Sequence, residues 1–163
     1  MQIPKQLPQF NTFSGLLAVI SRQEAHFYRA YQGQIEKIKE VKTENIRYSD
    51  DEGMMRESGG PGQVYRSGAV KEISDKDQKK YLMRELKKYL PTLNKDYSSQ
   101  EGRLYLFVPS HTITEVKELL PKKLKEILDM DFVGNYQNYH PTELLEKINQ
   151  ELEKKVSEAK NSN

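Results

Sequence analysis

The stretch GLLAVISRQEAHFYRAYQGQIEKIKEVKT, residues 15–43, decides the fold. Its apolar residues fall in three groups: Leu16 to Ile20 without interruption, Ala25 to Ala30, and then Ile35, Ile38 and Val41 set among charged residues. A short unbroken run suits a strand buried on both faces, whereas interleaved polar residues suit a half-exposed one. Gly33, within YQGQ at 31–34, supplies the positive φ that a tight reversal needs. The stretch therefore predicts a three-stranded meander, with a helix over 35–42 as the alternative for its last segment.

Working outward, residues 48–71 lose all periodicity and hold five of the nine glycines, at 53, 59, 60, 62 and 68. Loops beyond roughly 12–15 residues are uncommon in compact domains and usually serve function or are disordered. SDKDQKKYLMRELKKYLP, 74–91, has helix punctuation: Ser74 as N-cap, Asp75 and Asp77 in the first turn, Pro91 beyond the end. Leu82, Leu86, Tyr89 and Leu90 form its apolar side; Lys76, Lys80, Arg84, Lys87 and Lys88 form a basic one. RLYLFVP at 103–109 reads as a buried strand. Thr112 with Glu115 reads as a capping box opening a helix that Pro121 must kink or divide. MDFVGNYQNY at 130–139 suits an edge strand, and Pro141 the first turn of a last helix.

The sum is an α/β domain with a mixed five-stranded sheet flanked by helices, in the order βββαβαβα of the ribonuclease H-like folds. Residues 1–14 form a lead-in, 15–158 one domain, and 159–163 a fraying tail. Leu17, Val19, Phe27, Leu82, Leu86, Leu106, Val108, Leu120, Leu124 and Ile148 are the expected core.

Length and composition exclude more than they assign. The 163 residues suit one domain. Twenty-six Lys and Arg against twenty-four Asp and Glu leave a net charge of +2, so only local segregation can specify a partner. With no cysteine there is no disulfide, thiolate nucleophile or thiolate metal site. No apolar run approaches the roughly 20 residues that span a bilayer, and MQIPKQLPQF lacks a secretory apolar core, so a cytoplasmic protein without a membrane partner is expected. His26, His111 and His140 have no second ligand at helical metal-binding spacing, so neither a metal nor a cofactor is expected.

Three enzyme classes fail on their chemistry. A metal nuclease needs carboxylates on the central strands, and GLLAVIS and LYLFVPS carry none. Adjacent Ser110 and His111 do not converge on one proton, and PSHT reads as a strand-to-helix turn. GGPGQ is followed by no G-K-[ST], so it is not a phosphate-binding Walker loop.

Taken together, LLAVISRQEAHFYRAYQGQIEKI, the Gly-rich loop before a basic helix, and GRLYLFVPSHTITEVKELLPKKLKEIL followed by YHPTELLEKI resemble a known pattern covering most of residues 15–150. It is that of the middle, peptidyl-tRNA-hydrolysing domain of the archaeo-eukaryotic peptide-chain release factors, and more closely of their bacterial stand-alone relatives, host-attachment proteins among them. The resemblance implies a ribosome- or tRNA-associated protein hydrolysing peptidyl-tRNA in rescue, since the chain has no room for codon-reading domains. The alternative is a non-catalytic adaptor that kept the fold and binds a protein partner.

In the release factors this loop carries Gly-Gly-Gln, which sets a backbone amide and a Gln against the ester while water attacks. Here it is GGPGQ, so the resemblance assigns Gln63 with Gly60 and Gly62 as catalytic candidates, while Pro61 interrupts the triplet and fixes its own φ near −65°. Lys76, Lys80, Arg84, Lys87 and Lys88, with Arg66 on the loop, are the candidate RNA contacts.

Overall fold

The computed structural model describes residues 1–43, 75–96 and 102–161. The opening stretch is three strands, β1 (Ser14–Ile20), β2 (Glu24–Tyr31) and β3 (Gln34–Lys42). Between β2 and β3, Gln32 and Gly33 both have positive φ, 47° and 73°. That pair of torsions is what a two-residue hairpin of the I′ kind requires. β1 also pairs in parallel with β4 (Gly102–Val108), from Ser14↔Gly102 to Val19↔Phe107, and β4 pairs in parallel with β5 (Leu128–Val133). The sheet order is β3-β2-β1-β4-β5. β1 and β4 have a strand on each side and a packed layer on each face, which is why their sequences do not alternate.

β3 is an edge strand, and the helical alternative for 35–42 does not form. Its apolar residues recur every third position because of a register shift. Phe27 opposes Lys39 while Tyr28 opposes Lys37, so Ile38 is the extra residue of a bulge. Ile38 and Val41 thereby reach one face of the sheet although an odd number of positions separates them.

That face is covered by α1 (Asp75–Asp96), α2 (Ile113–Leu119) and α3 (Lys122–Glu126), whose Leu82, Leu86, Leu90, Val116 and Leu124 pack on Leu16, Ala18, Phe27, Leu104 and Leu106. The other face is covered by α4 (Pro141–Asn161), with Leu144, Leu145 and Ile148 among Leu17, Val19, Tyr105 and Phe107. All ten expected core residues are buried.

Four local features differ from the sequence expectation. The lead-in is part of the core: Ile3, Leu7 and Phe10 are buried, and Ile3 N donates to Gly33 O at 2.7 Å and Gln32 N to Phe10 O at 3.1 Å. α1 runs through Pro91, because Leu90 before it and Leu93 after it are both buried and hold the next turn in place. No capping box forms at Thr112; its hydroxyl donates to Pro109 O, and Glu115 turns away to Lys79 Nζ at 2.7 Å. β5 starts at Leu128, two residues earlier than the sequence indicates, because Ile127 ends α3 and the chain passes directly into the sheet. Pro121 divides α2 from α3, and α4 begins at Pro141, as expected. Glu143 reaches back to accept the His140 amide at 2.6 Å.

Candidate nucleic-acid interface

α1 lies beside the edge strand β3, and a cleft of about 600 Å³ runs between them. Tyr81, Glu85 and Tyr89 rise from one wall at successive helical turns, with Lys88 beside them, while residues 39–42 of β3 form the other. Tyr89 is fixed from below by Phe27, ring centroids 5.0 Å apart and nearly edge-on, and Lys39 Nζ lies 5.8 Å from its centre. The Arg84 guanidinium stacks over Tyr81 at 4.9 Å. Each ring is thus paired with a cation, the combination that suits a base plane beside a phosphate.

The two acids that border the cleft are already engaged, Glu85 on the α1 wall and Glu40 on β3, whose carboxyl lies beside His26 on the far face of the sheet. Hydrogen bonds from Lys37 and Lys42 hold the Glu40 carboxyl down at about 2, and Lys88 lowers that of Glu85. Both are ionised at neutral pH and matched by ammonium groups. The cation surplus comes from Lys39 and from the stripe on α1. Lys76, Lys80, Arg84, Lys87 and Lys88 are all exposed, as expected, and recur at helical spacing along one side. Among the described residues, Lys76, Lys80 and Lys87 have no acidic partner. Lys88 pairs with Glu85 at 2.7 Å.

The start of α1 meets the carboxyl ends of β1 and β4, parallel neighbours from which the chain leaves toward opposite edges of the sheet, and clefts commonly open at such a point. Gln23, in the β1–β2 turn, accepts the Thr43 amide on its backbone oxygen at 2.8 Å and donates its side-chain amide to Gln78 at 2.7 Å. Beside it Arg22 donates to His111 Nε2 at 3.2 Å, and Lys79 Nζ is 3.5 Å from the His111 carbonyl. Ser110 and His111 form the strand-to-helix turn the sequence indicates. Gln63, Gly60, Gly62 and Arg66 lie outside the described residues, as does Ser74. The sequence marks the basic stripe but not Tyr81, Tyr89 and Lys39 as one constellation, because that grouping depends on how α1 docks against β3.

No family model and no curated protein matches the sequence. Among solved structures the chain is similar to an archaeal translation termination factor, aRF1, with a TM-score of 0.46 and 14% identity over 94% of this chain and 43% of that one. It is also similar to an archaeal protein of unspecified role, with a TM-score of 0.41 and 16% identity over 92% of this chain and 41% of that one. The chain spans less than half the length of either. No helix among the described residues is long and apolar enough to cross a membrane.

Proposed function

We propose that the protein binds tRNA or ribosomal RNA along the α1–β3 cleft and acts there as a release-factor-like hydrolase of peptidyl-tRNA, in rescue rather than codon-directed termination. The pairing of Tyr81 and Tyr89 with Arg84 and Lys39, continued by the α1 lysines, is the observation that supports the binding half. Phosphates meet the lysines and an unstacked base meets a ring. The catalytic half rests on the likeness of GGPGQ, 59–63, to the Gly-Gly-Gln loop, with Gln63 and the backbone near Gly60 and Gly62 orienting water at the ester. A place in the bacterial stand-alone group, host-attachment proteins included, and a cytoplasmic location belong to the same proposal.

The test is incubation of the purified protein with ribosomes carrying peptidyl-tRNA, following co-sedimentation and peptide release together. Release that Gln63→Ala abolishes while binding persists supports hydrolysis. Binding without release assigns an adaptor. Absence of both, with folded protein, refutes the proposal. Lys80→Glu with Arg84→Glu should weaken binding and lower its logarithmic salt slope by about two, since each lost phosphate contact removes about 0.7–0.9. An unchanged slope would remove this face from the interface.

A further inference from the structure

On the sheet face opposite α1, Glu24 and His26 project side by side from β2, two positions apart, and the register sets His26 directly across from Glu40 on β3. One donor atom from each of the three lies within 4.8 Å of the other two. The geometry points to a divalent transition-metal site formed by Glu24, His26 and Glu40, of the kind that takes Zn²⁺.

Three observations carry this. First, His26 Nε2 is buried and makes no hydrogen bond, although two carboxylates flank it. A buried ring nitrogen without a partner loses its solvation with no return, so the position calls for a ligand. Second, the spacing is that of co-ligands. Nε2 stands 3.5 Å from Glu24 Oε1 and 3.8 Å from Glu40 Oε1. Two ligands of one tetrahedral zinc, each about 2.0–2.1 Å from it, are roughly 3.3–3.4 Å apart, whereas an N–H···O bond closes to about 2.7–3.2 Å. Relative to Nε2, each carboxylate oxygen therefore needs to move by only a few tenths of an ångström to share an ion with it, and the two oxygens themselves lie within 4.8 Å of each other. Third, a cation already sits there. The Lys42 ammonium touches Glu40 Oε1 and lies 3.9 Å from Glu24 Oε2, yet its side chain is 59% exposed and can swing into water.

One imidazole and two carboxylates suit a borderline ion such as Zn²⁺, and three protein ligands leave a position for water. Glu24, His26 and Glu40 are 18%, 14% and 30% exposed, so the ion has an entry path. Binding would fasten β2 to the edge strand. The sequence conceals the site because Glu40 joins it through cross-strand register, not helical spacing. The ion does not depend on the RNA proposal, although Glu40 and Lys42 also border the α1–β3 cleft.

Calorimetric titration of the full chain with Zn²⁺ tests it, with the His26 ring nitrogens followed by NMR in the unsubstituted protein. The expected result is one saturable equivalent that shifts the His26 Nε2 resonance and raises Tm. His26→Ala and Glu40→Gln should each weaken binding at least about tenfold. Lys42→Met, which removes one of the two ammonium groups that compete for Glu40, Lys37 being the other, should tighten it several-fold, and His140→Ala should leave it unchanged. The site is refuted by no saturable binding, by binding that leaves the His26 resonance in place, by affinity that survives the folded His26→Ala variant, or by Lys42→Met weakening the interaction.

Discussion

Gln23 holds the chain on both sides of residues 44–74: its backbone oxygen accepts from Thr43, and its side-chain amide donates to Gln78 at 2.7 Å. One residue of the β1–β2 turn therefore ties the end of β3 to the first turns of α1. The exposed side-chain bond contributes about 1 kcal/mol or less. Gln23→Ala should lower stability by no more than that in urea denaturation while reducing peptide release from ribosomes. Release at the unsubstituted rate would mean that the stems need no fixing.

Tyr81 offers a ring whose removal leaves the fold intact, because Leu82 and Leu86 carry the helix contact. Tyr81→Ala should cost about 1–3 kcal/mol of RNA affinity in fluorescence anisotropy, the range for losing one base–aromatic stack, and Tyr81→Phe should restore it. Equal losses in both variants would point to the hydroxyl instead.

Leu106 is fully buried at the centre of β4, between Ala18 of β1 and Asp131 of β5. Leu106→Ala should destabilise by about 2–5 kcal/mol in chemical denaturation, since strands on both sides prevent collapse around the void. A loss below about 1 kcal/mol would contradict its central position.

Tyr105 gives the domain an alkaline limit. Burial, with the Asp129 carboxylate adding to it, pushes the phenol up to about 12. A pKa raised on folding favours the native state while the phenol stays protonated, so this stabilisation is complete below about pH 10, the ordinary value, and falls as pH rises toward 12. Tyr105→Phe should flatten the fall in Tm across that window. The same slope in the variant would assign the alkaline limit to other groups.

The parts legible in the sequence are those that a single element specifies. β1 and β4 announce themselves as unbroken apolar runs because both faces of each are covered, and Leu82, Leu86 and Leu90 mark the buried side of α1 by helical spacing alone. What two elements create together was hidden. Ile38 looks helical until the bulge opposite Phe27 and Tyr28 is known. Phe10 belongs to an irregular segment with no period, yet it meets Tyr105 edge-on at 6.1 Å and lies so close to Gly15 that a Cβ there would approach its ring to 2.6 Å. Tyr89 reads as a core residue and is one in part, against Phe27, but its other side faces Lys39 across the cleft. Lys80 and Arg84 were identifiable as a basic stripe, whereas the cleft they border was not.

The parallel ladder between β1 and β4 also sets the order in which the chain can fold. β1, β2 and β3 are neighbours in sequence and can close as a hairpin meander within microseconds, while Ser14 must wait for Gly102 to be synthesised and brought back across the sheet. Until then β1 is an open edge made of Leu16, Leu17, Ala18 and Val19, without the charges that protect natural edges. The most apolar strand of the native centre is therefore the most adhesive surface of the nascent chain. Self-association during refolding should start at β1, and arrival of β4 is the event that ends the hazard.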